Sequence, residues 1–363
     1  MRKIRRCPRI PSRNAGLFGT CGGCTLQNLA PDAYLEHKRK LIGDALARYG
    51  IPSAPLREMI RVPPRSRRRA TLKLEKRDGV TRIGFYAPRS HVLVDIQECH
   101  VLTPGLFRLA ERLRERLHGM LRGAESADLY IAEAENGFDL SIQWKGQTTP
   151  DLIGQFAAAA PALDLIRITA GGDLLFQSAM PEVHFGKAKV RLPPGAFLQP
   201  TRDGEAMLQA TAIKAVGKAK GVVDLFCGCG TFALPLGERT KVHAVDSEAP
   251  MLSALSEAAR ATPGLKPVTA ERRDLFRHPI GAAELNAFDA AVLDPPRAGA
   301  LAQAGPLAKS NVRRIAYVSC DAASFARDAR VLMDGGYRLD WILGVDQFLW
   351  SPHIELAAAF AKD

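Results

Sequence analysis

The chain has 363 residues, 47% of them hydrophobic, which is enough for a large buried core and predicts two or three domains. No stretch approaches the roughly 20 uninterrupted apolar residues of a membrane span, and the basic N-terminus leads into no secretory segment, so we expect a cytoplasmic protein without a membrane partner. Net charge is +12, and residues 1–100 alone carry 21 Lys and Arg against 8 Asp and Glu. This imbalance favours a polyanion as the partner of the N-terminal part, and a solvated basic surface without a partner is the alternative.

The seven cysteines are more typical of ligands, nucleophiles or small core residues than of disulfides in a cytosolic protein. The two in Cys21-Gly-Gly-Cys24 form a tight pair whose glycines free backbone amides to point at sulfur, and Cys7 and Cys99 can complete four thiolates around one centre. Spacing alone does not choose between zinc and iron–sulfur, and buried free thiols are the alternative. In the basic part, we expect the following side chains to contact phosphates: Arg65, Arg67, Arg68, Arg69, Lys73 and Arg82.

Residues 1–195 are predicted to form an N-terminal and central α+β region. Its predicted elements are helices Asp32–Arg48 and Pro104–Leu121 and strands Phe138–Trp144, Leu165–Thr169 and Asp173–Gln177. The first helix is a candidate to pack on the C-terminal domain. The turn-rich segment Gly195–Glu205 is interpreted as the hinge.

Residues 196–363 alternate short apolar runs with helical stretches, which predicts a parallel sheet of βαβ units. The predicted strands are Gly221–Phe226, Val242–Asp246, Asp289–Asp294 and Arg314–Ser319, with helices Thr231–Glu238, Ala249–Ala261 and Ala322–Met333. Leu339–Val345 and Ile354–Ala361 are predicted to close the sheet as a strand pair.

A glycine turn, Gly228-x-Gly230, follows the first of these strands and predicts a cofactor pocket, with Asp246 placed to accept both ribose hydroxyls. A nicotinamide or flavin could also use such a turn. However, the negative charge of Asp224, inside the strand, would not favour binding of a pyrophosphate. It would favour binding of the positively charged amine and sulfonium of S-adenosylmethionine. Asp274, after the third strand, is a candidate to bind the adenine amine or simply a helix N-cap. Cys227 and Cys229 are interpreted as packing residues.

Asp294–Arg297 (Asp-Pro-Pro-Arg) ends the fourth strand, at the edge where open α/β sheets bind ligands. Enzymes that methylate exocyclic amines place an aromatic residue where Arg297 stands. A thiol appears one strand later, as Cys320. Uracil C5 is a poor nucleophile until a thiolate adds at C6, so this thiol favours covalent chemistry. Glu355, at the start of the last strand, is our candidate for the base that removes the C5 proton.

These motifs resemble the RNA uridine C5 methyltransferase family in Asp224–Gly230, Asp294–Gly299 and Val318–Cys320. The resemblance implies a Rossmann-like class I methyltransferase domain at 196–363, with Cys320 as nucleophile and Glu355 as base. It implies that Asp294 lies near the uracil and the cofactor. It also implies that Gln199 contacts the cofactor or the base. Together with the residue-based assignments above, the predicted S-adenosylmethionine contacts are Gln199, Asp224, Phe226, Gly228, Gly230, Asp246, Asp274 and Asp294.

Ribosomal-RNA members of the family bind a 4Fe-4S cluster, which the resemblance assigns to Cys7, Cys21, Cys24 and Cys99. On this basis we expect 23S rRNA as the substrate and a monomer that lacks the family's N-terminal RNA-binding barrel. A tRNA methyltransferase and an inactive RNA-binding iron–sulfur protein are the alternatives. The chain departs from the family pattern at Thr201, at Asp321-Ala322 after the nucleophile, and at Leu349–Ser351.

Overall fold

The computed structural model describes residues 19–120, 125–144 and 149–363. The helices are α1 (Pro31–Arg48), α2 (Pro104–Met120), α3 (Pro150–Ala159), α4 (Arg202–Val216), α5 (Ala233–Gly237), α6 (Ala249–Ala261), α7 (Ala282–Leu285), α8 (Leu301–Ala308) and α9 (Ala322–Asp334), with a 3-10 turn at Pro161–Leu163. The strands of the N-terminal half are β1 (Ile60–Arg61), β2 (Arg69–Arg77), β3 (Val80–Tyr86), β4 (Leu93–Asp95), β5 (Glu125–Glu133), β6 (Phe138–Trp144), β7 (Leu165–Ala170) and β8 (Asp173–Gln177). Those that follow are β9 (Glu182–Phe185), β10 (Ala188–Arg191), β11 (Gly221–Leu225), β12 (Lys241–Asp246), β13 (Val268–Arg272), β14 (Ala290–Leu293), β15 (Arg314–Ser319), β16 (Arg338–Asp346) and β17 (Glu355–Ala361). None of these helices is long and apolar enough to span a bilayer.

The described chain divides into two compact units. The first runs to Lys38 and takes in Pro63–Ala179 and Phe348–Pro352. Its seven-stranded sheet has the order β4-β3-β2-β5-β6-β7-β8 and is antiparallel except between β6 and β7. Helix α2 packs its leucine face against one side of this sheet, because leucines recur every three or four residues along it.

The second unit comprises Arg39–Val62, Met180–Gln347 and His353–Asp363. Its eight-stranded sheet has the order β1-β16-β17-β15-β14-β11-β12-β13, in which only β17 runs antiparallel to its neighbours. The chain order reverses between β11 and β14. In open α/β sheets, ligands bind at the carboxyl edge beside such a reversal. The predicted parallel sheet and its closing strand pair are therefore confirmed.

The division between the units falls at Ala179 and Met180, earlier in the chain than residue 195. The β9–β10 hairpin belongs to the second unit because it packs on α6, and the Lys187 N–H donates to Glu238 Oε1 at 2.9 Å. The last residues of the predicted hinge, Arg202–Glu205, form the first turn of α4. Thr201 is the N-cap of α4, its hydroxyl accepts the Gly204 N–H at 3.0 Å, and Asp203 and Glu205 lie in the favourable first turn.

Candidate active site

The glycine turn after β11 is built around positive backbone angles. Phe226, Gly228 and Gly230 have φ of 64°, 54° and 95°. A Cβ at Gly230 would press on Leu234 at 3.0 Å, whereas one at Gly228 would meet nothing within 4 Å, so the chain leaves open space there. The carboxylate of Asp246 braces the turn by accepting the Gly228 N–H at 2.9 Å. The turn therefore leaves open space beside Gly228.

Asp224 is a fully buried carboxylate inside β11. Neither of its oxygens has a hydrogen-bond partner among the described residues. Burial, and then the charges of Asp294 and Asp246, raise its pKa well above the ordinary value; the Ala233 N–H offsets part of this rise without reaching hydrogen-bond geometry. An orphaned buried carboxylate fits a ligand that brings an amine or another positive charge. S-adenosylmethionine carries both.

Two aromatic rings lie close together at this turn. The rings of Phe226 and Phe276 lie 5.4 Å apart at 52°, and Phe276 is largely exposed. Asp274 Oδ1 accepts the N–H groups of Phe276 and Arg277 at 3.0 and 3.2 Å. Asp274 therefore caps a turn, as the alternative interpretation of it as an N-cap suggested. Its contact with the adenine amine stays a prediction. Cys227 and Cys229 are buried, and burial raises the pKa of Cys229 to about 12, as suits packing residues.

Asp294 follows β14 at the carboxyl edge of the sheet. Gln199 Nε2 donates to Asp294 Oδ2 at 3.2 Å. Burial raises the pKa of Asp294 to about 7, against the lowering effect of that hydrogen bond. The pKa of the Asp294 carboxyl is therefore well above the ordinary value of an aspartate.

A buried carboxylate fixes the loop that follows Asp294. Asp328 Oδ2 accepts the Ala300 N–H at 2.6 Å and the Tyr317 hydroxyl at 2.7 Å. Arg327 donates to Ala298 O at 2.8 Å. A Cβ at Gly299 would collide with Asp328 Oδ2 at 2.6 Å, so only glycine fits, also because φ is 77° there. This network positions the Asp-Pro-Pro-Arg loop.

Cys320 and Glu355 lie opposite each other at the ends of two antiparallel strands. Ser319, the last residue of β15, pairs with Leu356; Cys320 directly follows β15 and Glu355 begins β17, so these two residues come next in the register. Side chains of directly opposed residues project on the same face of a sheet. The pKa of the half-buried Cys320 thiol is raised to about 11, first by burial and then by the charges of Glu355 and Asp294, while Arg297 lowers it. Glu355 itself is only 2% exposed.

Two departures from the family pattern have structural explanations. Asp321 is the N-cap of α9 and accepts the N–H groups of Ala323 and Ser324 at 3.0 and 2.9 Å. In the first unit, the Trp350 N–H donates to the Tyr34 hydroxyl at 3.0 Å, and Trp350 O accepts the Leu26 N–H at 2.9 Å. Hydrogen bonds thus hold both departing segments.

Sequence reasoning missed Gln347, which completes the site. Its Nε2 donates to Gln199 Oε1 at 2.8 Å and to Glu355 Oε2 at 2.9 Å. The described residues thus form an unbroken hydrogen-bonded chain from Asp294 through both glutamines to Glu355. The available signal was a polar residue directly after an apolar strand that ends at the same edge of the sheet. That signal is weak without knowledge of its partners.

The cysteines of the first unit share one environment. Gly23 N–H and Leu102 N–H donate to the sulfurs of Cys21 and Cys99, each at 3.5 Å. The pKa of Cys24 is raised to about 12 by burial and by Cys99 and Cys21. Among the described residues, however, no group of three or more His, Cys, Asp or Glu side chains is arranged to hold a metal ion. Cys7 lies outside the described residues, so the four-cysteine centre stays a prediction.

Not all of the side chains predicted to bind phosphates are exposed to solvent. Arg65 is exposed, but Arg68 is buried, so the expectation is wrong for Arg68. Lys73 Nζ pairs with Asp128 Oδ2 at 2.6 Å on the neighbouring strand, and both are partly exposed. Its charge is therefore partly compensated. Arg65 and the partly exposed Arg82 remain the better candidates for contacts to a polyanion.

Relatives cover nearly the whole chain, although no family model matches it. An uncharacterized RNA methyltransferase of Agrobacterium fabrum is 40% identical over 348 residues, 96% of this chain and 83% of the relative. The 23S rRNA (uracil(1939)-C(5))-methyltransferase of Chromohalobacter salexigens is 30% identical over 379 residues, which cover 99% of this chain and 78% of the relative. Among solved structures, the fold matches the crystal structure of Pyrococcus abyssi tRNA (uracil-54, C5)-methyltransferase in complex with S-adenosyl-L-homocysteine. The TM-score is 0.71 at 24% sequence identity, and the match covers 94% of this chain and 86% of the Pyrococcus chain. This likeness confirms the predicted class I methyltransferase fold.

Proposed function

The chain belongs to the RNA uracil-C5 methyltransferase family, and from this premise we propose that it transfers a methyl group from S-adenosylmethionine to C5 of a uridine in RNA. The observation that carries the proposal is the opposition of Cys320 and Glu355 at the sheet edge that also bears Asp224 and Asp294. A thiol and a carboxylate that face each other are the nucleophile and the base that C5 methylation of a uracil requires.

The cofactor pocket is assigned to the turn after β11 and the acids around it. Asp224 would hold the amine and offset the positive charge, and Asp246 would accept the ribose hydroxyls. The remaining contacts are assigned to Gln199, Phe226, Gly228, Gly230, Asp274 and Asp294. When bound, S-adenosylmethionine supplies an electrophilic methyl group. The unpaired oxygens of Asp224 support this assignment because a buried carboxylate without a partner is otherwise unfavourable.

The residues of the chain would act in sequence. The Cys320 thiolate adds to C6 and forms a C–S bond, and the electron pair of the C5–C6 double bond makes C5 nucleophilic. After C5 has accepted the methyl group, Glu355 removes the C5 proton. The electron pair of the broken C–H bond restores the double bond, and the C–S bond breaks to release Cys320. Asp294 and Gln199 would orient the uracil. Since Cys320 lies in a partly buried site, the uridine must leave its stack to reach it.

RNA with 5-fluorouridine at the target position tests this chemistry. The C5 substituent is then fluorine, which Glu355 cannot remove, so the methylated adduct persists. We expect a denaturation-resistant protein–RNA complex with the unmodified enzyme and none with Cys320→Ala. Absence of any complex from an enzyme that binds both RNA and cofactor would favour the inactive RNA-binding alternative.

For the substrate we propose 23S rRNA, which the name of the Chromohalobacter relative and the cysteine set support. The alternative substrate is tRNA. Incubating each purified RNA, taken from cells that lack the protein, with labelled cofactor distinguishes them. Label in rRNA alone supports the proposal, and label in tRNA alone contradicts it. The protein would act as a monomer, with Arg65 and Arg82 contacting phosphates.

A 4Fe-4S cluster on Cys7, Cys21, Cys24 and Cys99 is proposed as a structural element outside the methyl-transfer steps. The N–H groups donated to the sulfurs of Cys21 and Cys99 support it, since such donors stabilise thiolates. Glycine is required at position 22, because a Cβ added there would lie 2.5 Å from Tyr86 O. Iron analysis and visible absorbance of protein purified without oxygen test it. Zinc would leave the visible region blank, and a metal-free protein would contradict the cluster.

A further inference from the structure

We propose that Gln347 is a positioning residue for proton abstraction, which holds the Glu355 carboxylate ionised and aligned and couples it to Gln199 and Asp294. The inference rests on the proposed function and deepens it, because it assigns a role to a residue outside the motifs that carry the resemblance. It is carried by two hydrogen bonds from a single amide group.

The first step is geometric. Gln347, Gln199 and Glu355 are 1%, 2% and 2% exposed, so water does not compete for their polar atoms. Gln347 Nε2 has two N–H groups, and the two acceptors at 2.8 and 2.9 Å are Gln199 Oε1 and Glu355 Oε2. Both donors of the amide are therefore used.

The second step fixes the orientation of both amides. Turning the Gln347 amide over would bring its oxygen against Glu355 Oε2 and Gln199 Oε1, which is repulsive while the carboxylate is ionised. Turning the Gln199 amide over would bring its oxygen against Asp294 and its nitrogen against the nitrogen of Gln347. With both carboxylates ionised, only the observed polarity gives every link a donor and an acceptor.

Packing alone does not explain an amide side chain at position 347. Gln347 Oε1 is buried and has no hydrogen-bond partner among the described residues, and it lies against Gly204, where a Cβ would collide with it. A buried, unpaired carbonyl is unfavourable, and an apolar side chain would avoid it. The amide is therefore explained by its two donors, which face the two functional side chains.

The consequence concerns one step of the reaction. Glu355 takes the C5 proton only when it is ionised, and a donated hydrogen bond stabilises the ionised form. The same bond restrains Oε2 and so orients the carboxylate relative to Cys320, which directly follows the neighbouring strand β15. Addition of the thiolate and transfer of the methyl group precede this step and do not use Glu355 as a base. Loss of Gln347 should therefore slow product release from the covalent adduct while leaving its formation intact.

Gln347→Met tests the inference, because methionine has a similar length and no donor. Gln303→Met is the matched control, since Gln303 is also fully buried in the same unit but bonds the main chain of Ile280 instead. Thermal unfolding first identifies a temperature at which both variants are folded. On unmodified RNA we expect Gln347→Met to lose roughly 10- to 100-fold in kcat with little change in KM, within the range that general base catalysis contributes. The methylated covalent adduct should accumulate, and the acid limb of the kcat profile should move to higher pH.

The 5-fluorouridine complex separates the possible failures. Gln347→Met should trap this RNA as fast as the unmodified enzyme, because no proton is removed in that reaction. Wild-type turnover with an unmoved pH profile overturns the inference, as does equal loss of trapping and turnover, since Gln347 would then act before the proton step. Failure of the unmodified enzyme to trap the RNA would instead contradict the proposed function.

Discussion

Cys320 and Glu355 come directly after the last pair of β15 and β17, because the antiparallel register ends with Ser319 opposite Leu356, Cys320 follows β15 and Glu355 begins β17. The proposed nucleophile and the proposed base therefore occupy one face of the sheet at its carboxyl edge, although they are 35 positions apart in the chain. Their closeness also has an electrostatic cost, since the carboxylate disfavours ionisation of the thiol.

Glu355→Gln should separate bond formation from product release. The amide keeps the size of the side chain but cannot take a proton, so turnover should fall by about 10²- to 10⁴-fold. The thiol can still add to C6, and a methylated protein–RNA adduct should accumulate on unmodified RNA. Denaturing gels with labelled RNA measure it. Rapid turnover without a detectable adduct would show that another group removes the C5 proton.

The reactivity of Cys320 without ligands should rise with pH. Because its pKa is raised to about 11, the thiolate fraction should increase about tenfold per pH unit between pH 7 and 10. Asp294→Asn removes a nearby negative charge, and should therefore lower this pKa and speed alkylation above pH 8, where Asp294 is otherwise ionised. Asp274→Asn is the matched control. Mass spectrometry of the Cys320 peptide after iodoacetamide treatment measures the rate, and a flat pH profile would contradict the account.

Asp224→Asn should weaken cofactor binding while stabilising the ligand-free protein. Removing one partner of a buried charge pair should reduce affinity at least about 30-fold, measured by calorimetry. The folded state raises the pKa of the Asp224 carboxyl, so folding favours its protonated form. Its contribution to the free energy of unfolding is therefore highest at acid pH, where Asp224 is protonated in both states, and it falls as pH rises through the folded-state pKa. The variant should therefore have a higher Tm than the unmodified protein at pH 8 and a smaller difference at pH 5. Unchanged affinity would remove Asp224 from the cofactor pocket.

Asp328→Ala should destabilise the loop after Asp294. The Ala300 N–H and the Tyr317 hydroxyl would lose their acceptor in a buried site, which predicts a loss of roughly 2–4 kcal/mol in the free energy of unfolding. Asp340→Ala is the control, since Asp340 pairs with the exposed Arg338 at the surface. Urea unfolding measures both variants. Equal stability of the two would show that Asp328 does not hold the loop.

The sequence was most informative where a short local pattern determines the structure. Buried apolar runs predicted the strands of the second unit, and a parallel sheet necessarily brings residues after β11, β14 and β15 to one edge. The closeness of Cys320 and Glu355 could be expected because an antiparallel strand begins at the edge where its neighbour ends. Both inferences need only strand order and direction.

Other features depend on partners distant in the chain and could not be read from it. Gln347 acquires its role only by meeting Gln199 and Glu355, which are 148 and 8 positions away. Arg68 lies in a charged run that suggested exposure, yet it is buried in the fold. Phe348–Pro352 belongs to the first unit although both flanking segments belong to the second, a division that no local composition indicates.

Mass spectrometry of the complex with 5-fluorouridine RNA and S-adenosylmethionine tests the central claim most directly. The account predicts one methylated nucleotide attached through sulfur to the peptide that contains Cys320, and no attachment in the folded Cys320→Ala variant. Attachment at another residue, or methylation of unmodified RNA by Cys320→Ala at the rate of the unmodified enzyme, would contradict it.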